Sequence, residues 1–226
     1  MEKVAAGKFR YFQPSANELT RLVLILFVVV IGGGSFALTK IFSSPYITRQ
    51  NIILPQPVPF SHKHHVGEEG IDCRYCHTTV EKSAYAGIPP TQTCINCHSQ
   101  LYTTSPMLEP VRASFQTNEP IHWTRVNNLQ QFVYFNHSIH VTKGVGCASC
   151  HGRVDEMDLT AQAAPLTMEW CLSCHREPQM QVRPREEVFN MEYQPPENQA
   201  QLGAELVKKY DIKNAQALTS CSTCHR

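Results

Sequence analysis

The 226-residue chain carries almost no net charge and, beyond its first 42 residues, little aliphatic material. A formal charge of +1 argues against nucleic acid as a partner and against strong electrostatic steering by the whole molecule. Few Leu, Ile and Val past the N-terminus, set beside 15 prolines and many Ser, Thr, Gln and Asn, leave too little to bury a large protein core. No charge lies between Arg21 and Lys40, and no His between Arg176 and Ser220. No cysteine stands outside a pair: all ten fall in C-x-x-C, and a His follows every pair.

Those pairs are Cys73/Cys76 before His77, Cys94/Cys97 before His98, Cys147/Cys150 before His151, Cys171/Cys174 before His175 and Cys221/Cys224 before His225. Zinc sites combine two half-sites into four ligands. Five half-sites do not pair off, and zinc needs no His after every second Cys. A disulfide framework would need no histidines at all. Two thiols at this spacing add across the vinyl groups of one haem, and the next His sits under the iron. The chain therefore reads as a cytochrome with five haem c. Its expected fold is coil-rich with short helices, packed around haem in place of an aliphatic core. Thioether attachment takes place outside the cytoplasm, so the cysteines also report a compartment.

In order, residues 1–21 are polar, with Lys3, Lys8, Arg10 and Arg21, and read as a cytoplasmic segment. Residues 22–42 hold 18 uncharged residues in a row, near the roughly 17–25 that span a bilayer. A cleaved signal peptide is the rival, since Leu22–Ile31 has the length of an h-region. The expectation is one uncleaved transmembrane anchor in the cytoplasmic membrane, with the N-terminus inside and the haem domain periplasmic. Gly32-Gly33-Gly34 would let a second helix approach closely in lipid. Residues 43–59 form a Pro-rich linker. Residues 60–98 and 135–175 are two copies of one dihaem module: F-x-H-x-x-H-V, a Gly-containing turn, C-x-x-C-H, a Pro-containing loop, C-x-x-C-H. Residues 99–134 connect them, and residues 176–226 form a C-terminal arm with the fifth haem. Within that arm, Asn198–Tyr210 has the spacing of a short surface helix.

Five proximal His leave six others: His62, His64, His65, His122, His137 and His140. In H-x-x-H on a helical turn both rings share one face, which makes His62, His65, His137 and His140 the distal ligands of four haems. His64 sits one place off the repeat and suits a propionate contact. For the fifth iron Met168 is the first candidate, and a thioether there would raise the potential. His122 is its rival, with His64, another Met or no ligand also left open.

The repeated unit resembles the class III multihaem cytochromes c. With the anchor, Ser83–Pro90, Val133–Val141, Pro165–Arg176 and Cys221–Arg226, the chain is similar to the membrane-anchored pentahaem subunit of bacterial alternative complex III. Those relatives often read R-V-H-x-L-P where this chain has Arg125-Val-Asn127-Asn-Leu-Gln130. The resemblance implies a non-catalytic electron-transfer subunit of a quinol-oxidising complex. It also implies polytopic quinol-binding subunits, an iron–sulfur subunit and a monohaem cytochrome c as partners, and a soluble acceptor or terminal oxidase beyond them. The alternative is a free-standing anchored quinol dehydrogenase. A nitrite-reductase-like enzyme fits poorly, because every motif ends in His and no iron position is clearly vacant.

Overall fold

The computed structural model describes residues 14–225. Lys3, Lys8, Arg10 and Arg226, which entered the readings above, lie outside them. The chain divides into two compact units, residues 1–47 and 48–226.

The first unit is dominated by one helix, Pro14–Phe42, of 29 residues. It is long and apolar enough to cross a membrane. Leu22 to Ile31 are all more than half exposed, and the Gly32–Gly34 triplet is carried without a break, with open space around each glycine. A helix apolar on all sides and left uncovered fits a membrane anchor or a signal sequence.

The second unit is built from short helices and turns, with isolated bridges but no strand among the described residues. Each C-x-x-C pair lies on its own helical turn: Cys73–Cys76, Thr91–His98, Cys147–His151, Met168–Arg176 and Cys221–Cys224. The turns have local causes. The Asp72 carboxylate accepts from Arg74 N (2.8 Å) and Thr167 Oγ1 from Trp170 N (3.4 Å), so each caps the helix that follows. One helical turn places residues i and i+3 on the same face, so both thiols can meet one flat ligand.

The two modules share the same ring contacts. Phe60 packs edge-on to His62 at 4.9 Å and stacks on His65 at 4.4 Å; Phe135 does the same with His137 at 4.8 Å and His140 at 4.5 Å. They differ in length by one residue, since eight positions separate His65 from Cys73 and seven separate His140 from Cys147. The extra residue is taken up as a π-helical turn, Lys63–Glu68, where the second module has the α-helix His137–Thr142. The exits then match again. Ile71 N bonds His65 O at 3.0 Å and Val145 N bonds His140 O at 2.9 Å, and the preceding Gly70 and Gly144 both have positive φ.

The apolar core among the described residues is two small clusters. Val80, Val141 and Val188 form one, and Val182, Leu206 and Tyr210 the other. Val188 is the largest side chain below 2% exposure, as expected of a chain with few aliphatics to bury. The second cluster holds the C-terminal arm. The helix anticipated over Asn198–Tyr210 is present as Gln199–Lys209, with Leu206 and Tyr210 facing inward. Arg183 N bonds Gly144 O at 2.8 Å and Cys147 N bonds Val188 O at 3.0 Å, so the arm is laced to the second module. The connector is more regular than its prolines imply, since Glu109–Thr117 is helical with Pro110 in its first turn. Proline is tolerated there because its missing N–H would have had no helical partner.

Candidate functional site

The histidines of each module come together in pairs. The His137 and His151 rings lie 6.4 Å apart between centroids and within 7° of parallel. His140 and His175 are 6.1 Å apart at 23°, and His65 and His98 are 6.1 Å apart at 70°. His62 has His77 as the neighbouring charge that most lowers its pKa, after burial. In the second module the first His of H-x-x-H thus faces the first motif and the second His the second motif, and in the first module His65 faces the second motif in the same way.

Two imidazoles on opposite sides of one metal, each with its nitrogen about 2 Å away, have ring centres roughly 6 Å apart. The three measured pairs match that separation. The other ring nitrogen is also accounted for. Nδ1 of His65, His77, His98, His137, His140, His175 and His225 lies 2.6–3.2 Å from the backbone oxygens of Ser61, Gly87, Leu101, Ala84, Asn136, Leu218 and Phe132. A carbonyl only accepts, so Nδ1 carries the proton and Nε2 is left as the ligating atom. Metal-bound imidazoles are oriented by such bonds. The residues present therefore fit haem iron with two imidazoles.

Burial sets the charge state of this array. The pKa values of His62 and His151 are lowered to about 4, by burial first and then by neighbouring imidazoles, and that of His140 is lowered for the same reasons. These rings are neutral at physiological pH, the form that binds a metal.

Thiols of different motifs act on one another. Burial raises the Cys76 pKa, with further contributions from Cys94 and Cys97. Cys147 is pushed up to about 11, with Cys73 the largest contributor after burial, and Cys150 to about 12, with Cys174 next after burial. Cys171 is raised by burial and then by Cys224. Bonds follow the same sequence: Asn96 Nδ2 donates to Tyr75 Oη (3.4 Å), and His175 Nδ1 donates to Leu218 O (3.0 Å). The second and first motifs, the first and third, the third and fourth, and the fourth and fifth thus each act on one another electrostatically.

The remaining candidates separate. His64 is half exposed and pairs with Glu68 (3.0 Å). His122 is exposed. Met168 opens the helix Met168–Arg176, one turn before Cys171, with 68% of its surface exposed. His225 is held by the segment before the second module: Val133 pairs with it in an antiparallel bridge, and the Phe132 ring lies 5.7 Å away. Two positions carry part of the site without a mark in the sequence. Ala84 O accepts from His137, and Thr160 Oγ1 lies 2.9 Å from His62 Nδ1. Both come from the opposite module, and neither a carbonyl nor a lone hydroxyl has a sequence signature.

Residues 133–226, which contain the last three motifs, match the family of cytochrome c7 and related cytochrome c. Over these residues the chain is similar to multihaem cytochromes c of the cytochrome c7 type, a family that binds haem covalently to carry electrons. The chain is also similar to the menaquinone reductase multiheme cytochrome c subunit of Nitratidesulfovibrio vulgaris strain Hildenborough, with 33% identity over 97 residues. That match spans 42% of this chain and 45% of the relative, under half of either.

Proposed function

We propose that this chain is the membrane-anchored electron relay of a quinone/quinol oxidoreductase complex, carrying five haem c. Haem iron supplies one-electron chemistry by alternating between its ferric and ferrous states. The chain attaches one haem through each of its five Cys pairs, with His77, His98, His151, His175 and His225 proximal. His62, His65, His137 and His140 take the distal positions of the first to fourth motifs in the order 62 with 77, 65 with 98, 137 with 151 and 140 with 175. The observation that carries this reading is the set of His pairs near 6 Å with Nδ1 engaged elsewhere.

Met168 is the proposed distal ligand of the fifth iron. Its helix contains Cys171, whose pKa Cys224 raises after burial, and carries His175, bonded to Leu218 O just before the fifth motif, which favours it over His122. The electrostatic contacts between successive motifs support an unbranched relay whose ends are the second and fifth sites. The helix Pro14–Phe42 serves as an uncleaved anchor, with the haem domain on the periplasmic side. Polytopic quinol-binding subunits, an iron–sulfur subunit and a monohaem cytochrome complete the assembly, which is of the alternative complex III kind. There electrons run outward from quinol to a soluble acceptor or terminal oxidase. The relative's name favours a second reading, in which the same relay delivers electrons to menaquinone.

Purification in mild detergent tests both levels. A chain heavier by five haems, copurifying with polytopic subunits, is the expected result. A lone chain that oxidises quinol would instead make it a free-standing dehydrogenase, and fewer than five haems would overturn the attachment scheme.

A further inference from the structure

The His62 and His137 segments are braced across the module boundary, and the braces differ chemically. On one side, His137 N and Nδ1 bond Ala84 O (3.2 and 2.8 Å), and Ser138 N bonds Ser83 O. On the other, Lys63 N bonds Met157 O (3.0 Å) while Thr160 Oγ1 lies 2.9 Å from His62 Nδ1. Gly67 fixes the closeness of this second contact, because a Cβ there would sit 2.3 Å from Asp155 O. Of the four H-x-x-H imidazoles, His62 alone has a side-chain hydroxyl at Nδ1 where the others have a backbone carbonyl.

We propose that Thr160 is a positioning residue that sets the reduction potential of the haem ligated by His62. The proposal rests on the assignment of His62 as an iron ligand. With Nε2 on the metal, Nδ1 carries the proton and Thr160 Oγ1 must accept it. An acceptor at Nδ1 increases the basicity of the ligating nitrogen and stabilises the ferric state. A hydroxyl accepts less strongly than an amide carbonyl and is free to rotate. This contact therefore holds the first site at a higher potential than a carbonyl would, and above its structural counterpart at His137. In the proposed row these two sites are adjacent, so the difference falls on the step that crosses between modules.

The test uses the full-length haem-loaded protein, or its complex, carrying Thr160→Val, Thr160→Ser or His62→Ala. Potentiometric titration is read beside low-spin spectra and haem count. Val matches Thr in shape but cannot accept, so T160V is expected to raise one of five midpoint potentials with all haems bound and low-spin. T160S is expected to leave all five in place, and H62A to make one haem high-spin and open to CO. If H62A opens one iron while T160V shifts no potential, the Thr160 proposal fails and the ligand assignment stands. If H62A opens none, the assignment fails and takes the proposal with it. Loss of haem in both Thr160 variants would show a merely structural contact and would also overturn it.

Discussion

The imidazoles of His137 and His151 lie parallel within 7°, their centres 6.4 Å apart, although 14 positions separate them in sequence. Burial lowers the His151 pKa to about 4, so that ring is neutral when the pair forms. Backbone turns, caps and the Ala84 carbonyl hold the geometry, and those elements need no aliphatic core. Such a frame suits a chain whose apolar clusters are as small as these.

Removing one ring of a pair leaves an iron with an open position. His137→Ala and His140→Ala should each convert one haem to a high-spin, CO-binding form while thioether attachment keeps five per chain. Absorbance with and without CO reads the change. Full retention of low-spin haem in both variants would rule these residues out as ligands.

The π turn of the first module predicts a pair of opposite results. Gly67→Ala forces a Cβ against the Asp155 carbonyl and should cost about 1–3 kcal/mol, seen as a lower unfolding temperature. Deleting Glu69 restores the spacing of the second module and should convert the π turn to an α turn with every haem still low-spin. A high-spin haem after the deletion would contradict the equivalence of the two exits.

Met168 is tested by exchanging its sulfur. Met168→His should lower the highest of the five potentials without loss of haem, since imidazole favours the ferric state more than a thioether does. Met168→Ala should open that iron to added ligands. Wild-type spectra without a sulfur-to-iron band, with titrations unchanged in both variants, would transfer the role to His122.

Much of the site was legible because covalent chemistry dictates it. The C-x-x-C-H spacing carries the proposed attachment scheme, and the repeat announces two modules whose Phe–His contacts agree to within 0.1 Å. Leu202, Leu206 and Tyr210 marked the helix Gln199–Lys209 by period alone. The helix Glu109–Thr117 was hidden behind Pro110, although Val111 and Ser114 give it a buried face and Thr91 Oγ1 meets Ser114 Oγ at 2.8 Å. The π turn was visible only as one extra residue. The Thr160 and Ala84 contacts could not be read at all, because they depend on how the two modules meet.

The arm and the second module share the Val182–Leu206–Tyr210 cluster, and Lys143 Nζ donates to the Tyr210 and Asp211 carbonyls. Leu206→Ala should cost roughly 2–5 kcal/mol by leaving a cavity there. Thermal unfolding followed by circular dichroism reads the loss. An unchanged midpoint would mean that the arm is held by its haem and not by this cluster.

Asp155 adds an acid-range dependence. The Arg153 guanidinium, bonded to it at 2.6 Å, holds its carboxyl below the usual carboxylate range. Its contribution is present above the unfolded-state pKa of about 3.9 and is lost as pH falls through the lower folded value. Asp155→Asn should therefore flatten the stability profile on the acid side of about pH 4. A profile identical to wild type would remove the ion pair from the account.

The most direct measurement is an electron cryomicroscopy map of the haem-loaded protein in its native complex, resolving each iron and its axial atoms. The account predicts five irons in one unbranched row in the motif order second, first, third, fourth, fifth. Nε2 of His65 and His98, His62 and His77, His137 and His151, and His140 and His175 would lie on either side of the first four. A branched arrangement, or an iron bound by His of two different pairs, would contradict it.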